Sequence, residues 1–222
     1  MKEKTNPSLG LEIRDHLLSL GVETPIASVA LAANDDAKIA VIEEHMHRIM
    51  ETLGLDMGDD SLYDTPKRVA KMFVNELYWG LKTENFPKCT TVENKMGYDE
   101  MVLEKNIKVM SDCEHHLRTI VGKAHVAYIP KEKVLGLSKL NRVVEYFSRR
   151  PQIQERLAEQ IYHALSYILG TPDVAVVIDA EHFCVKQRGI EDVGSSTVTS
   201  KLGGCFREGT VRAEFLSLIK GV

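Results

Sequence analysis

Two short segments about seventy residues apart carry the chemistry of this chain: Cys113-Glu114-His115-His116 and His182-Phe183-Cys184. Each sets a thiol beside an imidazole, and a fold that unites them gathers two sulfurs and up to three imidazoles. That donor set suits Zn²⁺. A closed structural zinc site takes four protein ligands, whereas a catalytic one takes three and leaves a position open. Cys89 and Cys205 have no partner at ligand spacing, which favours three ligands with imidazoles left over to move protons. Read singly, each segment is equally compatible with a buried small thiol and a hydrogen-bonded histidine.

Spacing narrows the ligand set. A Cys-x-x-His step suits a turn that curls Cys113 and His116 toward one ion and leaves His115 free. Residues 173–185 read as a strand, in which positions i and i+2 share a face about 7 Å apart. His182 and Cys184 then point the same way. Thiolate is the stronger zinc ligand, so Cys184 is expected on the metal and His182 at the substrate.

The chain has 222 residues, 44% of them hydrophobic, enough for one large domain or a compact domain with an extension. No apolar run approaches the roughly 20 residues of a membrane helix, and no apolar stretch follows the charged first residues, so no secretory signal is expected. Cytoplasm, with free thiols, is the expected location. A net charge of −4 implies no general affinity for nucleic acid.

Residues 1–100 read as helical. Val41, Ile42, Met46, Ile49 and Leu53 form a helical stripe closed by Gly54, and Thr65-Pro66 reads as N-cap and first position of the next helix. The segment 81–100 reads as irregular. From about residue 101 two strands (101–111 and 119–129) flank the Cys113–His116 turn. Two helices divided by Pro151 follow, striped by Leu140, Val143, Val144 and Phe147 and by Ile153, Leu157, Ile161, Leu165 and Ile168. Then come the strand at 173–185, another near 195–204 and a helix near 210–219. The order β-β-α-α-β-β predicts an antiparallel sheet with two helices on one face, an α+β class, over residues 101–222.

Ser138 reads as the N-cap of the first paired helix, with Lys139 and Arg142 on one face behind it. Arg188 lies just beyond Cys184, and Arg68 and Lys71 sit near another helix start. These cations fit a polyphosphate site, and from spacing alone they fit a solvated basic face better. Gln154 and Glu155 open the second paired helix. An amide beside a carboxylate can read the donor edge of a guanine or pterin ring, and Glu155 is also a favourable first-turn acid in its own right.

The ordered blocks Cys113–His116, Gly136-Leu-Ser-Lys-Leu-Asn-Arg142, Arg150-Pro-Gln-Ile-Gln-Glu-Arg156, His182-Phe-Cys-Val-Lys-Gln-Arg-Gly189 and Ser200-Lys-Leu-Gly-Gly204 resemble the signature blocks of type I GTP cyclohydrolase. Thr65-Pro-Lys-Arg-Val-Ala-Lys71 and Phe86-Pro-Lys88 are similar to its N-terminal half. The resemblance runs from about residue 35 to the end; residues 1–33 carry no motif.

That resemblance implies a zinc-dependent hydrolase converting GTP and water to 7,8-dihydroneopterin triphosphate and formate, the first step toward folate or tetrahydrobiopterin. It implies the tunnelling fold and a homodecamer with active sites between subunits. By position it implies Cys113, His116 and Cys184 as zinc ligands and His182 as proton donor to the purine N7. His115 would be a second acid–base group, with Gln154 and Glu155 on the guanine edge. Ser138, Lys139, Arg142 and Arg188 would meet the ribose triphosphate, with Arg68 and Lys71 arriving from a neighbouring subunit. Rival expectations are another pterin enzyme of the same fold, which would lack the paired Cys/His segments, and a non-catalytic zinc-stabilised nucleotide-binding protein, in which a free imidazole should have been lost.

Overall fold

The computed structural model describes residues 4–27 and 34–220. Residues 1–3 and 28–33 of the expected helical region, and residues 221–222, lie outside the described residues. Among the described residues three helices come first: α1 (Pro7–Ser19), α2 (Asp35–Thr52) and α3 (Thr65–Lys71), the last continuing as a π-helical stretch over Met72–Leu77. Asparagine side chains cap the first two of these helices. Asn6 accepts from Leu9 N at 3.2 Å, and Asn34 from Ala37 N at 2.8 Å. Asp64, rather than Thr65, precedes α3, which moves Thr65-Pro66 one position into the helix.

A five-stranded sheet follows. It contains β2 (Val102–Cys113), β3 (Thr119–Tyr128), β5 (Pro151–Gln152), β6 (Val174–His182) and β7 (Thr197–Leu202) in the order β5-β2-β3-β6-β7. All pairings are antiparallel except β5 with β2. The helices α4 (Leu137–Ser148) and α5 (Gln154–Leu169) intervene between the two hairpins. The order is therefore the expected β-β-α-α-β-β of the tunnelling fold, with the two-residue β5 added at its edge. β1 (Thr91–Glu93) lies where 81–100 reads as irregular and pairs with β4 (Lys133–Leu135) in a separate ribbon; three residues show no legible period.

The core forms where the apolar stripes of α4 and α5 meet one face of the sheet. Leu140, Val143, Phe147, Leu157, Ile161 and Leu165 are fully buried against Val109, Ala124, Val126 and Ile178. Ile13 and Leu17 of α1 and Phe86 belong to the same cluster, so the first hundred residues help to close this core. The C-terminal helix α7 (Gly209–Lys220) docks Phe215, with Phe206 just before it, over Ala127, Ala175 and Val177 on the opposite face.

Two further boundaries fall away from where the sequence places them. Gly136 is the N-cap of α4, and Ser138 lies inside its first turn without a capping bond. The strand expected over 173–185 stops at His182, and Phe183–Lys186 curl into a one-turn helix, α6. His182 and Cys184 are therefore not i and i+2 of one strand. The α2 stripe also behaves unlike a core stripe: only Met50 is buried, while Val41, Ile49 and Leu53 are exposed. With Ile26, Phe73, Val74, Tyr78 and Leu81 this helix borders an apolar groove of about 550 Å³.

Gly122 marks a close approach of β3 to β6. A Cβ there would lie 2.2 Å from the Asp179 carbonyl oxygen and 2.5 Å from Ala180 Cα. Gly122→Ala should push these strands apart and cost about 1–3 kcal/mol, lowering Tm by roughly 2–12 °C. Thermal unfolding followed by circular dichroism checks this, and an unchanged Tm would contradict the close approach.

Candidate metal centre and purine site

The register of the sheet builds the site. Ile120 faces His182 across β3 and β6, so the end of β6 lies beside the turn that joins β2 to β3. That turn wraps tightly: Cys113 N donates to Arg118 O at 2.8 Å and Leu117 N to Cys113 O at 2.8 Å. The wrap forces Leu117 to φ 49°, a left-handed conformation uncommon for a bulky side chain and characteristic of strained functional turns. It curls His116 back toward Cys113, while α6 carries Cys184 in from the other side.

One ligand atom each of Cys113, His116 and Cys184 lies within 4.8 Å of the other two. Tetrahedral zinc with bonds of about 2.0–2.3 Å separates its ligands by roughly 3.5–3.8 Å, so small side-chain movements suffice. Two thiols and an imidazole are the donor chemistry that zinc prefers among common divalent ions. Cys113 is buried. The Cys184 thiol is pushed up by burial and by the neighbouring Cys113, a repulsion of the kind a shared cation removes. Arg188 Nη1 lies 3.0 Å from His116 Nε2, which leaves Nδ1, 4.0 Å from Cys113 Sγ, as the nitrogen turned toward the sulfurs. His115 also approaches, with Nδ1 3.8 Å from Cys113 Sγ.

His182 is set apart from the triad by its own partner. Gln154, in the first turn of α5, is buried, and its amide nitrogen faces Ile178 O at 3.2 Å, Thr197 O at 2.9 Å and Thr199 Oγ1 at 3.2 Å. Those acceptors take both amide hydrogens, so the Gln154 oxygen is turned to His182 Nε2 at 2.7 Å, and that nitrogen must donate. Burial pushes the His182 imidazole below its ordinary range, and Glu155 pulls the other way. Glu155 is exposed beside it. Of the two residues expected on a purine edge, Glu155 is thus free to meet a ligand, while Gln154 is committed to His182 and the sheet.

Sequence reasoning missed one neighbouring pair. Arg156 of α5 grips Glu114 within the metal turn at 2.5 and 3.3 Å. Both residues stand in quoted motifs, but nothing in the spacing pairs them. The cations divide into two groups. Ser138, Lys139 and Arg142 share the start of α4, where Lys139 and Arg142 bear on Cys89, whose thiol burial pushes up to about 12. Arg188 touches the triad through His116. Arg68 and Lys71 lie on α3, which packs against α2, and Arg68 pairs with Asp64 at 3.5 Å. The described residues do not bring this last pair to the triad of the same chain.

Residues 42–220 match the family model described as GTP cyclohydrolase I. Among curated relatives, the GTP cyclohydrolase 1 of Aeromonas salmonicida is 56% identical over 95% of this chain and 96% of its own. Those of Yersinia enterocolitica and Flavobacterium johnsoniae are 53% and 51% identical, each over 94% of both chains. Overlap with a solved dihydroneopterin aldolase from Burkholderia thailendensis bound to guanine is slight, at 15% identity and a TM-score of 0.33 over 50% of this chain and 97% of that one. With a matched model spanning most of its length and relatives this similar end to end, the chain belongs to the GTP cyclohydrolase I family.

Proposed function

We propose that this enzyme converts GTP and water to 7,8-dihydroneopterin triphosphate and formate, at the entry to folate or tetrahydrobiopterin synthesis. The observation that carries this reading is the convergence of a Cys113–His116–Cys184 triad with a separately held imidazole, His182, and an exposed carboxylate, Glu155. Cys113, His116 and Cys184 would hold the zinc, which when bound would supply Lewis-acid chemistry and a water of lowered pKa. Gln154 fixes His182 with Nε2 as donor, so His182 exchanges its working proton with the purine N7 at Nδ1. His115, at the exposed rim of the turn, serves as the second acid–base group for the later rearrangement. Glu155 accepts from guanine N1–H and the exocyclic amine.

Lys139, Arg142 and Arg188, with Ser138, receive the ribose triphosphate. Arg68 and Lys71 do so from a neighbouring subunit, since their own chain holds them on α3. A homodecamer with active sites between subunits fits the uncovered stripe of α2, which has no partner among the described residues that would bury Val41, Ile49 and Leu53. In this reading residues 1–100 serve chiefly assembly and 101–222 catalysis, in the cytoplasm, with neither nucleic acid nor membrane as partner. Among the described residues no helix is long and apolar enough to cross a membrane.

Purified protein incubated with GTP should release formate in step with the appearance of a pteridine absorbance. Zinc analysis of the same sample should find about one ion per chain, as one three-ligand site requires. Cys184→Ser should lose most of the metal and most of the turnover together; full zinc with full turnover would exclude this ligand set.

Glu155→Gln exchanges an acceptor for an amide that can present a donor to the ring's donors. GTP affinity should fall about 10–100-fold, the worth of hydrogen bonds to a charged group. ATP, with an acceptor at N1 and no 2-amine, should be rejected by the wild type. Competition binding of GTP and ATP to both proteins measures this, and equal GTP affinity in the two would remove Glu155 from the purine edge.

A further inference from the structure

Behind the purine edge lies a buried polar network that the reaction itself does not use. Arg150 donates from Nη1 to Glu23 Oε1 at 2.5 Å, and the side chains are only 3% and 5% exposed. Its Nε donates to Gly80 O at 2.7 Å, and its guanidinium lies over the rings of Tyr146 and Phe147 at 4.7 and 4.9 Å. Glu23 Oε1 also faces Thr24 N at 2.7 Å and Gln160 Nε2 at 3.3 Å, so its orientation is fixed by three donors. Gln160, fully buried, in turn accepts from Gln152 Nε2 at 2.8 Å. Residues 22–24 are thereby fastened to the back of residues 150–152. Glu23 lies ahead of the matched family region 42–220.

The front of the same segment meets the site. Pro151–Gln152 pair with Asp112–Cys113, Gln152 O accepts from Glu114 N at 3.0 Å, and Gln154–Glu155 follow at once. A buried ion pair is no better for stability than apolar packing of the same shape, because desolvation offsets the attraction. What the pair adds here is direction. The metal triad stands on the β2–β3 hairpin and the end of β6; the hairpin meets residues 150–152 through the β5 pairing and through Ser111 Oγ, which donates to Arg150 O at 3.0 Å, but Glu23 itself bonds neither element.

We propose that Glu23, acting through Arg150 and Gln160, is a positioning residue that sets where Glu155 presents its carboxylate relative to the metal triad. It touches no substrate. The inference rests on the proposed GTP reaction and extends it to a residue of the N-terminal segment.

The test uses the full chain with Glu23→Gln and Glu23→Ala. It compares zinc content, kcat and KM for GTP and for ITP, which lacks the 2-amine, and amide hydrogen exchange over residues 151–156. Zinc content should stay near wild type, and kcat should change less than KM. KM for GTP should rise about tenfold in Glu23→Ala, as for other groups that orient a site from behind, with KM for ITP rising less, so that the preference for GTP narrows. Glu23→Gln, which keeps an acceptor, should fall between, and exchange should quicken at 151–156 in both. Unchanged KM, preference and exchange would overturn the proposal. So would a uniform quickening across the chain with zinc and kcat lost together, the mark of a merely structural pair. If Glu23→Ala does not fold, Glu23→Gln decides on the same readouts. If the wild type turns over neither nucleotide, the functional reading fails by itself, and exchange at 151–156 still decides whether Glu23 positions that segment.

Discussion

The site depends on one register: His182 opposite Ile120 in the pairing of β6 with β3. A strand slipped by one residue reverses every side chain, and one slipped by two moves them about 7 Å along the sheet. Either change would take His182 away from Gln154 and Cys184 away from Cys113. The register is pinned by burial, because Val176, Ile178 and Ala180 must face α4 and α5 while Gly122 admits the backbone of β6 at close range. The same hydrophobic alternation that makes the core therefore sets the distances on which the chemistry relies.

Around that register the chain separates tasks that a single cluster of histidines and cysteines would confuse. The thiols and His116 face one another across the strained turn at Leu117, while His182 is tied through Nε2 to a buried amide. The segment from Arg150 to Arg156 links these parts. It pairs with the metal turn through β5, grips it through Arg156 and Glu114, orients His182 through Gln154 and presents Glu155. Buried polar groups held by several hydrogen bonds resist reorientation, which is what a preorganised site requires.

Much of this was legible in the sequence because it repeats along the chain. The stripes Leu140–Phe147 and Leu157–Ile168, with Pro151 and Gly170 as punctuation, gave the paired helices nearly to their ends. The Cys/His segments gave the triad. Short or long-range features were not legible. β1, β4 and β5 are too brief to show a period, and Glu23–Arg150 joins residues whose separation leaves no pattern. The strand beyond His182 was misread because alternation continues through Phe183-Cys184-Val185 while the chain itself curls into α6. Gln154 reads as a ligand contact from type and position, which do not show that its amide also bonds the sheet and its oxygen His182.

In the proposed reaction, holding the metal and transferring the proton fall to different residues that the fold brings together. His182→Ala tests it most directly, with bound zinc, GTP affinity and formate release measured on one preparation. Zinc and affinity should remain near wild type while formate release falls about 10²–10⁴-fold, the usual worth of a positioned acid. Loss of zinc or of GTP binding in that variant, or formate release at the wild-type rate, would contradict the account.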